Sequence, residues 1–126
     1  MDKCYGEVNQ WLKDVDFLHI ESNFLKKVLK EYIERSGLLS RQVVLKLEER
    51  LIQIGADIHL LRKDLICCHS KVELMAKDII RRKRTEVEED IEIYRNRIET
   101  LFKTFYEFKS ELYNLSSQII EEESYD

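Results

Sequence analysis

The chain has 126 residues, of which 37% are charged and 44% hydrophobic, with a formal net charge of −4 and no proline. This length corresponds to one domain spanning residues 1–126, and the abundance of core-forming residues excludes a wholly disordered chain. The acidic balance argues against a nucleic-acid-binding module, whose affinity comes mainly from contacts with phosphate.

Helix 1 is predicted over about residues 7–35. Its apolar residues recur in alternating steps of three and four, which is typical of one continuous packing face. Ser22 is the polar member of this face, and its hydroxyl can donate to a backbone carbonyl one turn back. Gly37 suits the end of helix 1, and Ser40 is a plausible N-cap for the next helix. The predicted packing face is Val8, Trp11, Val15, Leu18, Ser22, Leu25, Leu29 and Tyr32.

Helix 2, over about residues 41–81, has the most regular pattern in the chain. Its apolar positions alternate in steps of four and three for about nine steps without a slip, which predicts a long helix with one packing seam. Gly55 lies inside this pattern, so we also consider a break there, which would give a bundle of four helices. The predicted seam is Leu47, Leu51, Ile54, Ile58, Leu61, Leu65, Cys68, Val72, Met75 and Ile79.

Helix 3 is predicted over about residues 86–121, followed by a frayed acidic tail at 122–126. A capping box begins it at Thr85, and acidic residues in its first turns complement the helix dipole. Apolar residues off its seam are only scattered: Phe102, Tyr106, Tyr113 and Ile120. The predicted seam is Val87, Ile91, Tyr94, Ile98, Leu101, Phe105, Phe108, Leu112, Leu115 and Ile119.

Two short connections between three long helices predict an all-α fold, an elongated antiparallel bundle in up-down-up order with the sustained periodicity of a coiled coil. The order of the helices and Trp11 in the first of them resemble a spectrin-like repeat. This resemblance implies a three-helix bundle and assigns no site.

Helices 1 and 2 also carry a second apolar face. A helix that is apolar on both sides is normally buried on both sides. One explanation is that the extra residues only widen the arc with which each helix touches two neighbours. The other is an interface with a partner, either a homodimer packed through helices 1 and 2 or another helical protein. The predicted partner-binding residues are Phe17, Ile20, Phe24, Leu45, Ile52, Leu60 and Leu74, with Val28, Ala56 and Cys67 on the same flanks.

Motifs for catalysis are absent from the sequence. It has no glycine-rich phosphate loop, no nucleophile elbow, no zinc-spaced cysteine pair and no Glu-x-x-His motif of the di-iron bundles. We therefore expect no enzyme and no cofactor. The expected function is a non-catalytic protein-interaction or scaffolding module that acts through exposed apolar helix faces.

The alternative function is a metal-binding or redox-active bundle. Antiparallel pairing brings His19 level with His59, with Glu107 at a similar height on helix 3. A metal site would need both histidines to turn inward, and partly exposed histidines are the simpler interpretation.

The cysteines offer a second set for that alternative. The same pairing places Cys4 level with Cys67, Cys68 and His69, which could form a thiolate site or a redox pair. Neighbouring residues on a helix point about 100° apart, so Cys67 and Cys68 cannot easily share one metal. Cys68 on the seam is most simply a core residue.

Two further patterns concern partners and location. The basic run at 81–84 has no interleaved aromatic residues and lies beside the acidic start of helix 3, so we expect no nucleic-acid partner. No apolar run reaches the roughly 18 residues of a spanning helix, and the N-terminus lacks the apolar core of a signal peptide. We expect a cytoplasmic protein without membrane contact, whose cysteines stay reduced.

Overall fold

The computed structural model describes the backbone of residues 2–35, 38–76 and 84–125 and the side chains of 4–34, 41–74, 86–115 and 117. In these ranges the chain forms three α-helices and no strand. The helices are α1 (Asp2–Arg35), α2 (Leu38–Ala76) and α3 (Arg84–Tyr125), and they pack as a bundle. The all-α prediction is therefore confirmed. None of the described helices is both long enough and apolar enough to cross a membrane.

The helix ends differ in places from the prediction. α2 begins at Leu38, so Ser40 lies within the helix and the N-cap assignment is wrong. α2 also continues through Gly55, so the four-helix alternative is wrong: one interior glycine costs at most about 1 kcal/mol, and buried residues on both sides outweigh it. α3 includes residues 122–125, which were predicted as a tail. The proposed Gly37 cap lies outside the described residues.

The predicted packing faces form one hydrophobic core, to which all three helices contribute. Phe105 and Phe108 are its largest fully buried side chains. Tyr32 and Tyr94 are half-buried at its edge. Val44, one turn before the predicted seam of α2, extends the core. The steps of three and four therefore identify the core correctly in every helix, although Met75, Ile79 and Ile119 lie outside the described side chains.

Ser22 is the buried polar side chain of this core, and only 2% of it is exposed. Its Oγ has no hydrogen-bond partner. The predicted bond to a carbonyl one turn back is therefore wrong, although Ser70 makes such a bond to the Ile66 carbonyl at 3.2 Å on the surface of α2. The core leaves one hydroxyl unsatisfied, a costly arrangement.

Ion pairs join α1 to α3 in the described part of the chain. The Arg95 guanidinium donates to Glu7 at 2.7 Å, and the Lys109 ammonium donates to Glu21. Both pairs span 88 residues of sequence. Arg95 also lies 5.9 Å from the centre of the Trp11 ring, which is one of the α1 core residues. These contacts fix which flank of α1 faces α3.

Ion pairs between described residues also join α2 to α3 and α1 to α2. The Arg97 guanidinium donates to Asp64 at 2.9 Å, and Arg50 donates to Glu111. Arg62 of α2 donates to Asp16 of α1 at 2.7 Å, at a more exposed position. Together these pairs set the height of each helix against its neighbours.

Candidate functional site: two exposed apolar surfaces

All seven predicted partner-binding residues are exposed, by fractions that run from 38% for Leu74 to 68% for Ile20. If these side chains only widened the contact of each helix with its two neighbours, they would be buried. That explanation is wrong for these seven residues, although it fits Val28, which is half-buried against the core. These exposed side chains leave large apolar groups in contact with water. Most of them belong to one of two surfaces.

The first surface lies on the outer side of α2, and we name it the α2 stripe. Its members follow one another at intervals of seven or eight residues, about two helical turns, so they lie in a row along the helix. The opposite side of α2 carries the buried seam with Leu61 and Leu65. The α2 stripe comprises Leu45, Ile52, Leu60, Cys67 and Leu74, all of them exposed.

The second surface begins on α1. Glu21 lies four residues after Phe17 and three before Phe24, and residues at these spacings are neighbours on one helix face. Because Glu21 is bonded to Lys109, this face of α1 is turned towards α3. Phe17 and Phe24 therefore lie beside the contact between α1 and α3, with more than half of each side chain exposed.

The same spacing occurs on α3. Lys109 lies three residues after Tyr106 and four before Tyr113, and both tyrosines are more than half exposed. The Lys109 ammonium lies 5.9 Å from the centre of the Tyr113 ring, within the range of a cation–π interaction. Two exposed rings on each helix thus flank one ion pair. We name this surface the aromatic cluster: Phe17, Phe24, Tyr106 and Tyr113.

The ion pair in the aromatic cluster is well shielded from water. The Glu21 side chain is 17% exposed and that of Lys109 is 27% exposed. The hydrogen bond to Glu21 raises the pKa of Lys109 above its ordinary value, against an opposing effect of burial. Lys109 is therefore held in its charged form, in contact with the Tyr113 ring.

The structure places Phe17 and Phe24 on the flank of α1 that faces α3. Another flank of α1 faces α2: Asp16 pairs with Arg62, and the Lys26 ammonium lies close to Gly55. Ile20 lies on the outermost side of α1 and has the largest exposure of the set. From the sequence alone, Tyr106 and Tyr113 are only scattered apolar residues of helix 3. The signal that could have identified them is their placement three residues before and four after Lys109, matched on α1 by phenylalanines four before and three after Glu21.

The histidines and cysteines do not form a metal centre in the part of the chain that the structure describes, where no group of three or more His, Cys, Asp and Glu could hold a metal ion. His19, in contact with Asn23 at 3.4 Å, and His59 are both exposed, as is Glu107. These three residues of the predicted set thus point to solvent.

The cysteines are exposed to different degrees. Cys67 is exposed and Cys68 is buried, as the 100° angle between neighbours requires. Cys4 is half-buried, and His69 contacts the Tyr5 ring at a centroid distance of 5.0 Å. No disulfide bond joins any of the three cysteines. Of the basic run at 81–84, residues 81–83 and the side chain of 84 lie outside the described residues.

Comparisons with models of protein families, with curated proteins and with solved structures found no match for this chain. The geometry of the α2 stripe and the aromatic cluster is therefore the basis for the function proposed below.

Proposed function

We propose that the protein is a non-catalytic interaction or scaffolding module of the cytoplasm, and that its partner is a second copy or another helical protein. The observation that carries the proposal is the exposure of the α2 stripe directly opposite a fully buried seam. Burying one large apolar side chain contributes roughly 1.5–3 kcal/mol, so a row of them in water favours association. The cytoplasmic location is supported by the three cysteines, none of which forms a disulfide bond, as suits a reducing compartment.

The mechanism of binding is the packing of a partner helix along one or both surfaces. The α2 stripe offers aliphatic side chains over several turns, as in helix-in-groove recognition. The aromatic cluster offers rings, which are enriched among the residues that dominate interface energies. Charged residues at the edges would set the register and exclude wrong partners.

The proposal includes an up-down-up order of helices with the character of a coiled coil. Glu7–Arg95 and Glu21–Lys109 have the same separation of 88 residues, which supports α1 and α3 running in the same direction. Regular steps of three and four along every seam support the coiled-coil character.

The contacts of α2 support the opposite direction for that helix. Its pair Arg50–Glu111 spans 61 residues, whereas Asp64–Arg97 spans 33. The number of residues between the two partners of a pair thus decreases from the beginning of α2 towards its end. This decrease is expected when α2 and α3 run antiparallel. An antiparallel neighbour also suits the short connections in the sequence.

The test is the solution mass of the protein, measured by light scattering on a size-exclusion column over a range of concentrations. We expect the wild type to form a dimer and Leu60→Asp or Phe17→Asp to shift it towards a folded monomer. Asn114→Asp is the control, because it places the same charge at an exposed position of α3 outside both surfaces.

Three outcomes would contradict parts of the proposal. If both Asp variants kept the wild-type mass, neither surface would be the interface. A wild type that stays monomeric at the highest concentration would exclude a second copy as the partner. Near-stoichiometric metal in the same peak, measured by elemental analysis, would instead favour a metal-binding bundle.

A further inference from the structure

A groove between α1 and α2 has a different chemical character from the two surfaces. Its volume is about 350 Å³, within the range of roughly 300–1,000 Å³ typical of small-molecule pockets. Leu29 and Leu51 form its buried floor, and Ile33 and Ile52 form its sides. We name it the α1–α2 groove. Its interior is therefore apolar and open to solvent along one side.

Two lysines stand at the edge of the α1–α2 groove. Lys26 and Lys30 are four residues apart on α1, so they lie on the same face of the helix. Among the described residues, neither makes a salt bridge or a side-chain hydrogen bond. The Lys26 ammonium lies 3.9 Å from the position that a Cβ at Gly55 would occupy, so it reaches across to α2. Both cations are thus available to an anion in the groove.

The remaining charge at the groove is Glu48 of α2. Two lysines against one glutamate leave an excess of one positive charge around an apolar channel. A cationic ligand would meet the lysines, and a neutral polar ligand would find no uncharged polar side chain on the walls. The charge and the walls together suit a ligand with a single negative head and an unbranched apolar tail.

We propose that the α1–α2 groove binds a medium-chain fatty carboxylate. Its carboxylate would lie between the ammonium groups of Lys26 and Lys30, which donate charge-assisted hydrogen bonds. Its alkyl chain would lie along Leu29, Ile33 and Leu51. From Lys26 to Ile33 the groove extends about 10 Å along α1, at 1.5 Å per residue, which favours a chain of medium length. This ligand site goes beyond the proposed role in protein interaction and does not depend on it.

The experiment is isothermal titration of the full chain with sodium decanoate, below the concentration at which decanoate forms micelles. We expect saturable binding of one decanoate per chain. The matched probe is decyltrimethylammonium, which has the same tail and the opposite charge, and we expect it not to bind. Equal binding of the two amphiphiles, or no binding of decanoate, would overturn the proposal.

Variants locate the site. We expect the pair Lys26→Gln with Lys30→Gln to weaken decanoate binding by about tenfold or more, because hydrogen bonds to charged groups are among the stronger ones. Lys27→Gln is the matched control, since Lys27 is exposed and does not line the groove. Circular dichroism would verify that both proteins are folded. An equal loss in the control, or no loss in the double variant, would show that decanoate binds elsewhere.

A failure here is distinguishable from a failure of the interaction proposal. Because Ile52 belongs to both the α2 stripe and the α1–α2 groove, decanoate binding is measured at protein concentrations where the chain is monomeric, whereas the interaction proposal is tested by solution mass. Leu60→Asp changes the α2 stripe outside the α1–α2 groove. We therefore expect Leu60→Asp to bind decanoate as the wild type does while it loses self-association.

Discussion

Lys109 of α3 donates a hydrogen bond to Glu21 of α1, between four exposed aromatic rings. The pair is one of the less exposed ion pairs between helices, with 27% of the lysine and 17% of the glutamate side chain in contact with water. Partial shielding weakens the screening of the two charges by solvent and salt. The pair joins the face of α1 that carries Phe17 and Phe24 to the face of α3 that carries Tyr106 and Tyr113.

We expect this pair to contribute to the free energy of unfolding, which a charge swap can measure. Glu21→Lys and Lys109→Glu should each destabilise the protein by about 1 kcal/mol or more, and the double swap should recover most of the loss. Urea denaturation gives the four free energies. The control is the same swap at Asp16 and Arg62, whose side chains are about half exposed and whose coupling should be near zero. Equal coupling energies at both sites would show that shielding from water does not strengthen the Glu21–Lys109 pair.

The raised pKa of Lys109 predicts how stability depends on alkaline pH. The hydrogen bond to Glu21 holds this pKa above the ordinary value of 10.5. A raised pKa in the folded state means that the contribution of the charged lysine is fully present below 10.5 and is lost as the pH rises through the higher value. We expect the stability difference between the wild type and Lys109→Gln to be constant up to about pH 10 and to shrink above it. A difference that grew with pH would contradict the assignment.

The core could be predicted from the sequence because it depends on local periodicity. A seam such as Leu51, Ile54 and Ile58 needs only steps of three and four in one helix, and every described seam residue predicted for α2 is buried. The exposure of Leu60 was predictable for the same reason, since it lies on the side of the helix away from that seam. Periodicity gives the faces of each helix independently of the others.

The assembly of the aromatic cluster could not be predicted in this way. It depends on the rotation of α1 relative to α3, and that rotation is fixed by contacts such as Glu21–Lys109, which are 88 residues apart in sequence. Nothing local in the sequence relates Phe17 to Tyr106. A homodimer face shared by helices 1 and 2 is a prediction from each helix alone, and the ion pairs add that Phe17 and Phe24 lie on the side of α1 that faces α3.

Ser22 gives a prediction about the core. Its buried hydroxyl lacks a hydrogen-bond partner, and an unsatisfied buried group costs about 1–3 kcal/mol. Ser22→Ala removes the hydroxyl and keeps the small volume, so we expect it to stabilise the protein by about 1 kcal/mol. Thermal unfolding measured by circular dichroism would detect this as a higher midpoint.

The control for this substitution is Ser70→Ala on the exposed side of α2. The Ser70 hydroxyl already donates to the Ile66 carbonyl, so its removal should change the stability little. A destabilised Ser22→Ala would mean that the hydroxyl is satisfied in solution, for instance by a bound water molecule.

Gly55 lies in the interior of α2, which continues through it without a break. A Cβ at this position would meet only the Lys26 ammonium, at an ordinary contact distance of 3.9 Å, so no neighbouring backbone requires the glycine. Gly55→Ala should therefore gain most of the difference in helix propensity, up to about 1 kcal/mol. Urea denaturation of the variant against the wild type measures this gain.

Gly6→Ala is the comparison, because nothing lies within 4 Å of a Cβ at Gly6 either. Gly6 is close to the beginning of α1, where the helix frays, so the gain there should be smaller than at Gly55. If Gly55→Ala destabilised the protein while Gly6→Ala did not, the glycine would have a role that needs the absence of a side chain. Access of a ligand to Lys26 in the α1–α2 groove would then be the first role to test, by repeating the decanoate titration on Gly55→Ala.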